Sequence, residues 1–493
     1  MSFFDKKGGS IASYTLTDED TKVTEYFPSG TKAAEGTLTK GQRTGDWKIY
    51  SDNGGWLYAK EHYEYGYMNG ERTSYWPNGK KYETDEYTYG TQDGYHKGYY
   101  QNGNISEEGW YKNGDKEGDW YSYNERAIVT GHNYYLTGMQ WGYQDYYDQY
   151  GRKDEEDYLK AGFLWTRVRY DSTGIVNYKW ESDNGSGEFK MTYPNGQASI
   201  VMEYKNGYRE GATTRYAFDG SPLSEANYIN GAQYGKRKEY YRDSHKPYIE
   251  LEESYDTKNG KSNGFWENGN KRWEENYDEG DLEGVQNYYY ENGQLAKTGT
   301  WDAGNVEGEL KYFSDDGSLE YVRYYHNGNL LGYSYLDKDG KVLPMKKFDN
   351  ATGDFVAFYQ NGDTSIVGHY ENGKLNGKLT EYFTNGKISE VETYSYSDLT
   401  GTQLYYYSNG NLKKELNYYS DALDGLQKFY SENGKLEHTE VYVLGDYYGT
   451  WTYYDANGNP SSAKTYYDGL QTSETQVAQP TQMQQPKSGP KGK

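Results

Sequence analysis

Seven histidines, His62, His96, His132, His245, His326, His369 and His438, are the chain's candidates for metal binding or proton transfer. No metal-ligand spacing connects them, and His62 and His369 fall in or beside a recurrent tyrosine column. The sequence therefore reads them as substituted aromatics. Asp337-Lys338-Asp339-Gly340 and Ser314-Asp315-Asp316-Gly317 begin like a calcium loop. Both lack the glutamate twelve places on that would complete it, and turn chemistry accounts for them. With no cysteine there is no disulfide, thiolate zinc site or cysteine nucleophile. Neither a phosphate-cradling G-x-x-x-x-G-K-[ST] nor a G-x-S-x-G elbow occurs. Carboxylates are plentiful, but nothing in the sequence singles out an acid–base pair. The reading is a protein without a catalytic centre, metal or cofactor.

Tryptophan offers another kind of chemistry. Eight of the 12 precede residue 181. Trp47, Trp120 and Trp451 each stand two residues after a recurrent glycine, so one reading is Trp in place of Tyr in a packed row. The functional reading is an aromatic platform for a sugar ring or a partner's anchor residues. Its candidates are Trp110, Trp120, Trp141, Trp165 and Trp180, together with His245 in an irregular stretch.

The elements that would carry these residues are set by an unusual composition. The 493 residues include 64 Tyr and 61 Gly, with a net charge of −23. Once Tyr, Trp and Met are set aside, Ala, Val, Ile, Leu and Phe make up roughly a sixth of the chain. No conventional core can be built from so little, yet so much Tyr and Gly does not suit a disordered chain. The acidity opposes nucleic acid and anionic lipid as partners. No apolar run approaches the length of a membrane span.

The order lies in a repeat. Asn-Gly or a near relative recurs with its glycine at Gly30, Gly54, Gly79, Gly103 and onward to Gly458, at intervals near 24 residues. Two turns have decayed, near Asn124-Glu125 and Asp243-Ser244, which makes nineteen in all. A second glycine keeps phase nine residues earlier, as at Gly45, Gly70 and Gly94. Aromatics stand four residues before the turn glycine and eight after it, as at Tyr99 and Tyr111. Such a unit is a β-hairpin. Asn-Gly suits a type I′ turn, which needs two residues with φ > 0, and the flanks are rich in Tyr, Phe, Thr, Ile and Leu. A lone hairpin is unstable in water. Stacked edge to edge, the hairpins hold one another through rows of tyrosine, each ring pair contributing ~0.5–1.5 kcal/mol beyond its buried area. At ~4.8 Å per strand, about 38 strands predict a strongly twisted rod on the order of 180 Å long.

The unit Y-x-N-G-x-x-x-G-x-x-x-x-Y-[YF]-x-x-N-G resembles the MORN repeat, in its bacterial variant form. Tyr111-Lys112-Asn113-Gly114-Asp115-Lys116-Glu117-Gly118-Asp119-Trp120 and the segment Tyr370 to Gly377 carry the likeness. The resemblance implies an elongated antiparallel sheet acting as a scaffold, a dimerisation surface or a membrane-associated platform. Some bacterial relatives are antitoxin-like.

The expected architecture is all-β: an elongated single-layer antiparallel meander of about 19 hairpins. Residues 1–20 form an N-terminal cap, 21–469 the repeat array, less regular at 151–187 and 243–264, and 470–493 a disordered Pro/Gln/Lys tail. The expected function is that of a non-enzymatic scaffold presenting an acidic, Tyr-rich surface to a basic or aromatic-bearing protein. Self-association or incorporation in a larger assembly is open, and a membrane role is not expected. Two other readings stand beside it: a carbohydrate-binding or cell-surface protein, and an antitoxin-like or immunity protein for a basic toxin. The expected compartment is the cytoplasm, or the cell exterior by a route without a cleavable N-terminal signal.

Overall fold

A computed structural model describes residues 1–5, 7–16, 18–52, 55–348 and 350–476. Among them there is no helix, and so none long and apolar enough to cross a membrane. From Thr21 to Gln476 the chain is an antiparallel meander in three sheets. They run from Thr21–Tyr26 to Val176–Glu181, from Gly187–Thr192 to Lys346–Lys347, and from Gly353–Phe358 to Leu470–Gln476. The first sheet is open: Thr21–Tyr26 pairs with Lys32–Thr39, and Val176–Glu181 with Phe163–Tyr170.

The two kinds of turn differ from the sequence expectation. Type I′ geometry lies at the return turns. Asn113 and Gly114 have φ of 53° and 90° between the paired Lys112 and Asp115, and nineteen such positive-φ pairs occur among the described residues. The periodic Asn-Gly is instead a type I turn closed by a left-handed glycine. Gly103 N–H donates to the Tyr100 carbonyl at 2.8 Å, Tyr100 N–H donates to the Asn104 carbonyl at 2.9 Å, and only Gly103 of the pair has positive φ. The asparagine is there for its amide. Asn102 Oδ1 accepts from Asn104 N–H at 2.8 Å, and its Nδ2 donates to the Glu125 carbonyl in the next turn at 2.8 Å. Asn78, Asn268 and Asn409 likewise reach Gln101, Glu291 and Glu432. The aromatic opening the turn does the same: Tyr100 Oη donates to the Tyr123 carbonyl at 2.6 Å, and Trp266 Nε1 to that of Tyr289 at 2.9 Å. Each turn is thereby tied to its neighbour, the nearest-neighbour coupling on which a repeat array depends. In the decayed turns Ala127 (φ 60°) and His245 (φ 56°) stand in the left-handed position.

The core is a row along one face, at the second residue after each in-phase glycine that lies nine residues before the periodic turn (Gly45, Gly118, Gly308). Trp47, Phe189, Phe355, Leu310, Leu379 and Trp451 bury apolar groups there. A glycine eleven residues earlier makes room in four cases: a Cβ at Gly36, Gly109, Gly299 or Gly368 would collide with Trp47, Trp120, Leu310 or Leu379. Elsewhere in the row Gln144, Gln286, Gln403 and Gln427 are wholly buried. Each satisfies backbone groups: Gln403 Oε1 accepts from Thr393 N–H at 2.6 Å and its Nε2 donates to the Thr400 carbonyl at 2.8 Å. Aromatic contacts continue the row, with Tyr111 and Trp120 ring centroids 5.0 Å apart and those of Trp451 and Tyr466 4.6 Å apart. The row runs straight through both breaks in the hydrogen-bond ladder, through Trp180 against Phe189 at 5.4 Å and Tyr333 against Phe355 at 4.6 Å.

Within 151–187, where the periodic aromatics lapse, ion pairs replace them. Arg167 grips Asp157 with two bonds of 2.8 and 2.6 Å, and Arg169 pairs with Asp154.

The array does not run on as a straight rod. Gln101 Nε2 donates to Asp398 at 2.7 Å, Arg126 pairs with Asp424 at 2.5 Å, and Gln149 Nε2 donates to Asp446 at 2.9 Å. In a straight ladder such residues would stand on the order of 100 Å apart. Sheet twist instead coils the third sheet back against the first, one rim matching the other in steps of one repeat.

At the start, Ser2–Phe4 pairs with Ser10–Ser13, and Tyr14 Oη accepts from Thr24 N–H at 3.1 Å. At the end, part of the expected tail is ordered. Leu470–Gln476 is an edge strand on Pro460–Tyr467, anchored by the buried Gln471. The remainder of that segment, 477–493, lies outside the described residues.

A candidate interaction face

On the face opposite the core row, each hairpin presents one directly opposed pair of side chains. In most repeats the pair is polar or small: Asp46/His62, Glu71/Glu86, Ala212/Asn227, Lys261/Asn276, Thr402/Asn417 and Thr450/Thr465. Three consecutive repeats carry aromatics there, with Tyr95/Trp110, Asp119/Tyr134 and Tyr143/Tyr158, whereas the other departures, Glu309/Tyr324 and Leu426/Val441, stand singly. The Tyr95 and Trp110 rings lie 5.4 Å apart and those of Tyr143 and Tyr158 4.9 Å apart. Trp110 is 54% exposed and Tyr143 64%, so these rings do not serve the core.

Acidic groups frame them. A shallow cavity of about 620 Å³ over Trp110 and Tyr121 is lined by Asp93, Glu108, Glu117 and Asp119, against one cation, Lys112. Burial works against charge on Glu108, but hydrogen bonds from Tyr123, Tyr95 and Lys97 outweigh it and hold its pKa below the usual carboxylate range. The Tyr95 hydroxyl is pushed up to about 12 by burial and by its bond to Glu108. The face is thus negative and aromatic at neutral pH.

The residues singled out from sequence are divided between the two faces. Trp110 belongs to the exposed row, and Trp141 is exposed near it in sequence. Trp120 and Trp180 are buried in the core, their indole N–H groups donating to the Trp110 and Glu188 carbonyls. Trp165 is half-buried with Lys160 Nζ 3.5 Å above its ring. His245 shapes the longer turn, with Nδ1 2.8 Å from Ser221 Oγ and Nε2 3.1 Å from Asp219. Tyr95, Tyr134, Tyr143 and Tyr158 were not singled out; their signal is the residue directly after the in-phase glycine at Gly94, Gly118 or Gly142, and its cross-strand partner.

Every histidine stands beside a carboxylate, from His96–Asp85 at 2.6 Å to His438–Glu440 at 3.4 Å. Among the described residues no group of three or more His, Asp or Glu is placed to hold a metal ion. Asp337 Oδ1 accepts from the Asp339 and Lys341 amides within its own turn, as turn chemistry requires.

The MORN repeat variant model matches residues 68–89, 282–303, 375–396, 399–418 and 423–443. These five segments are MORN repeats. Each MORN segment begins within three residues of a return turn, as does the hairpin unit described above. No curated protein matches the chain. Among solved structures, the crystal structure of TcdB2-TccC3-Cdc42 is similar at 12% identity over 90% of this chain and 31% of that one, with a TM-score of 0.12. A Photorhabdus luminescens Tc holotoxin pore gives 12% identity over 95% and 29%, with a TM-score of 0.13. The chain spans about three-tenths of the length of these chains. At such scores the likeness supports no conclusion about fold or function.

Proposed function

We propose that this MORN-repeat chain is a non-enzymatic scaffold that docks a protein partner on its outer face between Tyr95 and Tyr158. The observation that carries this reading is the run of three adjacent repeats with aromatics on the outer face, the outer two of them as ring pairs and the middle one as Tyr134 opposite Asp119. Repeat stability asks only for the core row and the turn ties, and most other repeats place polar pairs at the same positions. Aromatics at the centre of a patch with charged groups around them are the composition of a binding hot spot. The surrounding carboxylates select a partner segment carrying Lys or Arg beside apolar anchors, and the net charge of −23 steers its approach. An antitoxin-like role would be one case of this docking.

The test is co-purification from the native host with tagged wild-type chain, Trp110→Ala/Tyr143→Ala, and Val285→Ala on the same face of a distant repeat. The proposal expects a partner retained by wild type and Val285→Ala and lost from the double variant. An identical set of proteins on all three would refute it. Binding of oligosaccharides that shifts Trp110 fluorescence would favour the carbohydrate reading instead.

A further inference from the structure

A second site lies on the core side of the middle sheet. A cavity of about 880 Å³ is lined by Arg209, Arg215, Arg237, Arg242 and Arg272, with Tyr447 of the third sheet also on its wall. The chain has only 12 arginines, so five in one cavity of a strongly acidic protein is a concentration that needs a cause. Elsewhere most arginines are matched to acids, as Arg43 to Glu25 at 2.8 Å, Arg72 to Glu83 at 2.7 Å, and Arg167 to Asp157 at 2.6 Å; the exception, Arg323, is alone and packed among aromatic rings, 3.1 Å from the Tyr312 hydroxyl. Here Arg237 alone is so matched, to Glu239 and Glu253. Among the described residues, Arg209, Arg215, Arg242 and Arg272 make no ion pair. Aromatic rings hold three of them: Arg209 lies 5.2 Å from the Tyr228 centroid, Arg242 5.2 Å from Tyr447, and Arg272 4.6 Å from Trp266. Stacking of this kind orients a guanidinium and leaves its charge and its N–H fork free.

Two donor atoms of residues in the wall have no hydrogen-bond partner. Gln233 is only 8% exposed, and its Nε2 makes no hydrogen bond; the same holds for the buried Arg242 Nη1. One of these donors belongs to Arg242 itself, so four unneutralised guanidiniums and the Gln233 amide border one space. A single carboxylate would leave most of this charge uncompensated. Several phosphoryl oxygens, each able to take a bidentate guanidinium, would match it. The volume suits a small molecule.

We infer that this cavity binds a small soluble anion carrying two or more phosphate groups. The site is separate from the outer face and does not depend on the docking proposal.

The test is calorimetric titration of the full chain with tripolyphosphate at fixed ionic strength. Saturable one-to-one binding is expected, weakened about tenfold or more in Arg242→Gln and in Arg272→Gln. It should be unchanged in Arg126→Gln, whose ion pair lies on the rim. Far-UV circular dichroism of each variant separates lost binding from lost folding, and Arg215→Gln replaces any variant that fails to fold. Absence of saturable binding to the wild type, or equal affinity in the folded cavity variants, would overturn the inference. So would equal affinity for an oligoglutamate peptide, or binding to phosphoinositide-containing vesicles without binding to tripolyphosphate.

Discussion

The side-chain amide of Asn102 donates to the main-chain carbonyl of Glu125, one full repeat away, at 2.8 Å. This bond gives the recurrent Asn-Gly a meaning different from that of a hairpin dipeptide. Glycine supplies the left-handed residue, and asparagine stitches one turn to the next.

The two roles separate by mutation. At a type I′ turn Asn→Gly would be harmless, since glycine readily takes φ > 0. At Asn409, which reaches Glu432 at 2.9 Å and also caps its own turn through Asn411 N–H at 2.8 Å, Asn409→Gly is expected to lose about 1–2 kcal/mol. Urea denaturation gives the total, and faster amide exchange confined to the repeats on either side would show that a link between neighbours was lost.

A second test concerns the close approach of Gly109 to Trp120. Gly109→Ala drives a methyl into the buried indole and is expected to cost about 1–3 kcal/mol. Trp120→Leu copies the natural Gly299/Leu310 and Gly368/Leu379 pairs and should be milder than Trp120→Ala. A double-mutant cycle of Gly109→Ala with Trp120→Leu should show coupling, because the clash and the cavity occupy the same space. Additive effects would mean that the two residues do not share it.

The third sheet opposes Glu381 and Glu390 directly across a strand pair. Burial followed by repulsion from Glu392 raises Glu381 to about 7, and burial followed by Glu381 raises Glu390 well above its usual value; nearby Glu320 is raised to about 8. A carboxyl whose folded pKa is raised keeps its proton in the fold after the unfolded chain has released it. For these groups stability is therefore undiminished below about pH 4.5 and falls as pH rises towards 8. Glu390→Gln should raise the melting temperature at pH 8 and leave it nearly unchanged at pH 4. A gain of equal size at both would refute the assignment.

His96 carries the opposite partner chemistry. Burial disfavours its charge, but the hydrogen bond to Asp85 at 2.6 Å and the carboxylate of Glu107, 3.6 Å away, prevail and raise its pKa to about 9. A raised histidine contributes stability that is full below its unfolded value near 6.5 and lost as pH climbs through 9. His96→Gln should flatten stability between pH 7 and 9. NMR titration of the ring reports the pKa directly.

Much of the fold was legible in the residues. The spacing of glycines and tyrosines fixed hairpins, repeat length and the absence of a central core, because those depend on neighbours in sequence. The turn type was not legible, since Asn-Gly suits both geometries and only hydrogen-bond closure distinguishes them. Buried Gln144, Gln286, Gln403 and Gln427 escaped notice because a polar residue in a tyrosine-rich strand gives no sign of burial. Of the candidate platform, Trp110 was found and Trp120 was not distinguished from it: ten residues apart, they point to opposite faces. The arginine cavity brings together strands from Tyr208 to Asp278 with Tyr447, and no local pattern announces it.

The meshing of the two rims, Gln101 with Asp398, Arg126 with Asp424 and Gln149 with Asp446, bears on how such a chain can change length. The rims behave as toothed edges whose pitch is one unit. Duplication or loss of a whole unit from the middle sheet slides one edge past the other by a single tooth, and equivalent residues meet again. A half unit sets tooth against tooth and also turns every following strand end for end, so gene-level growth of this protein is quantised.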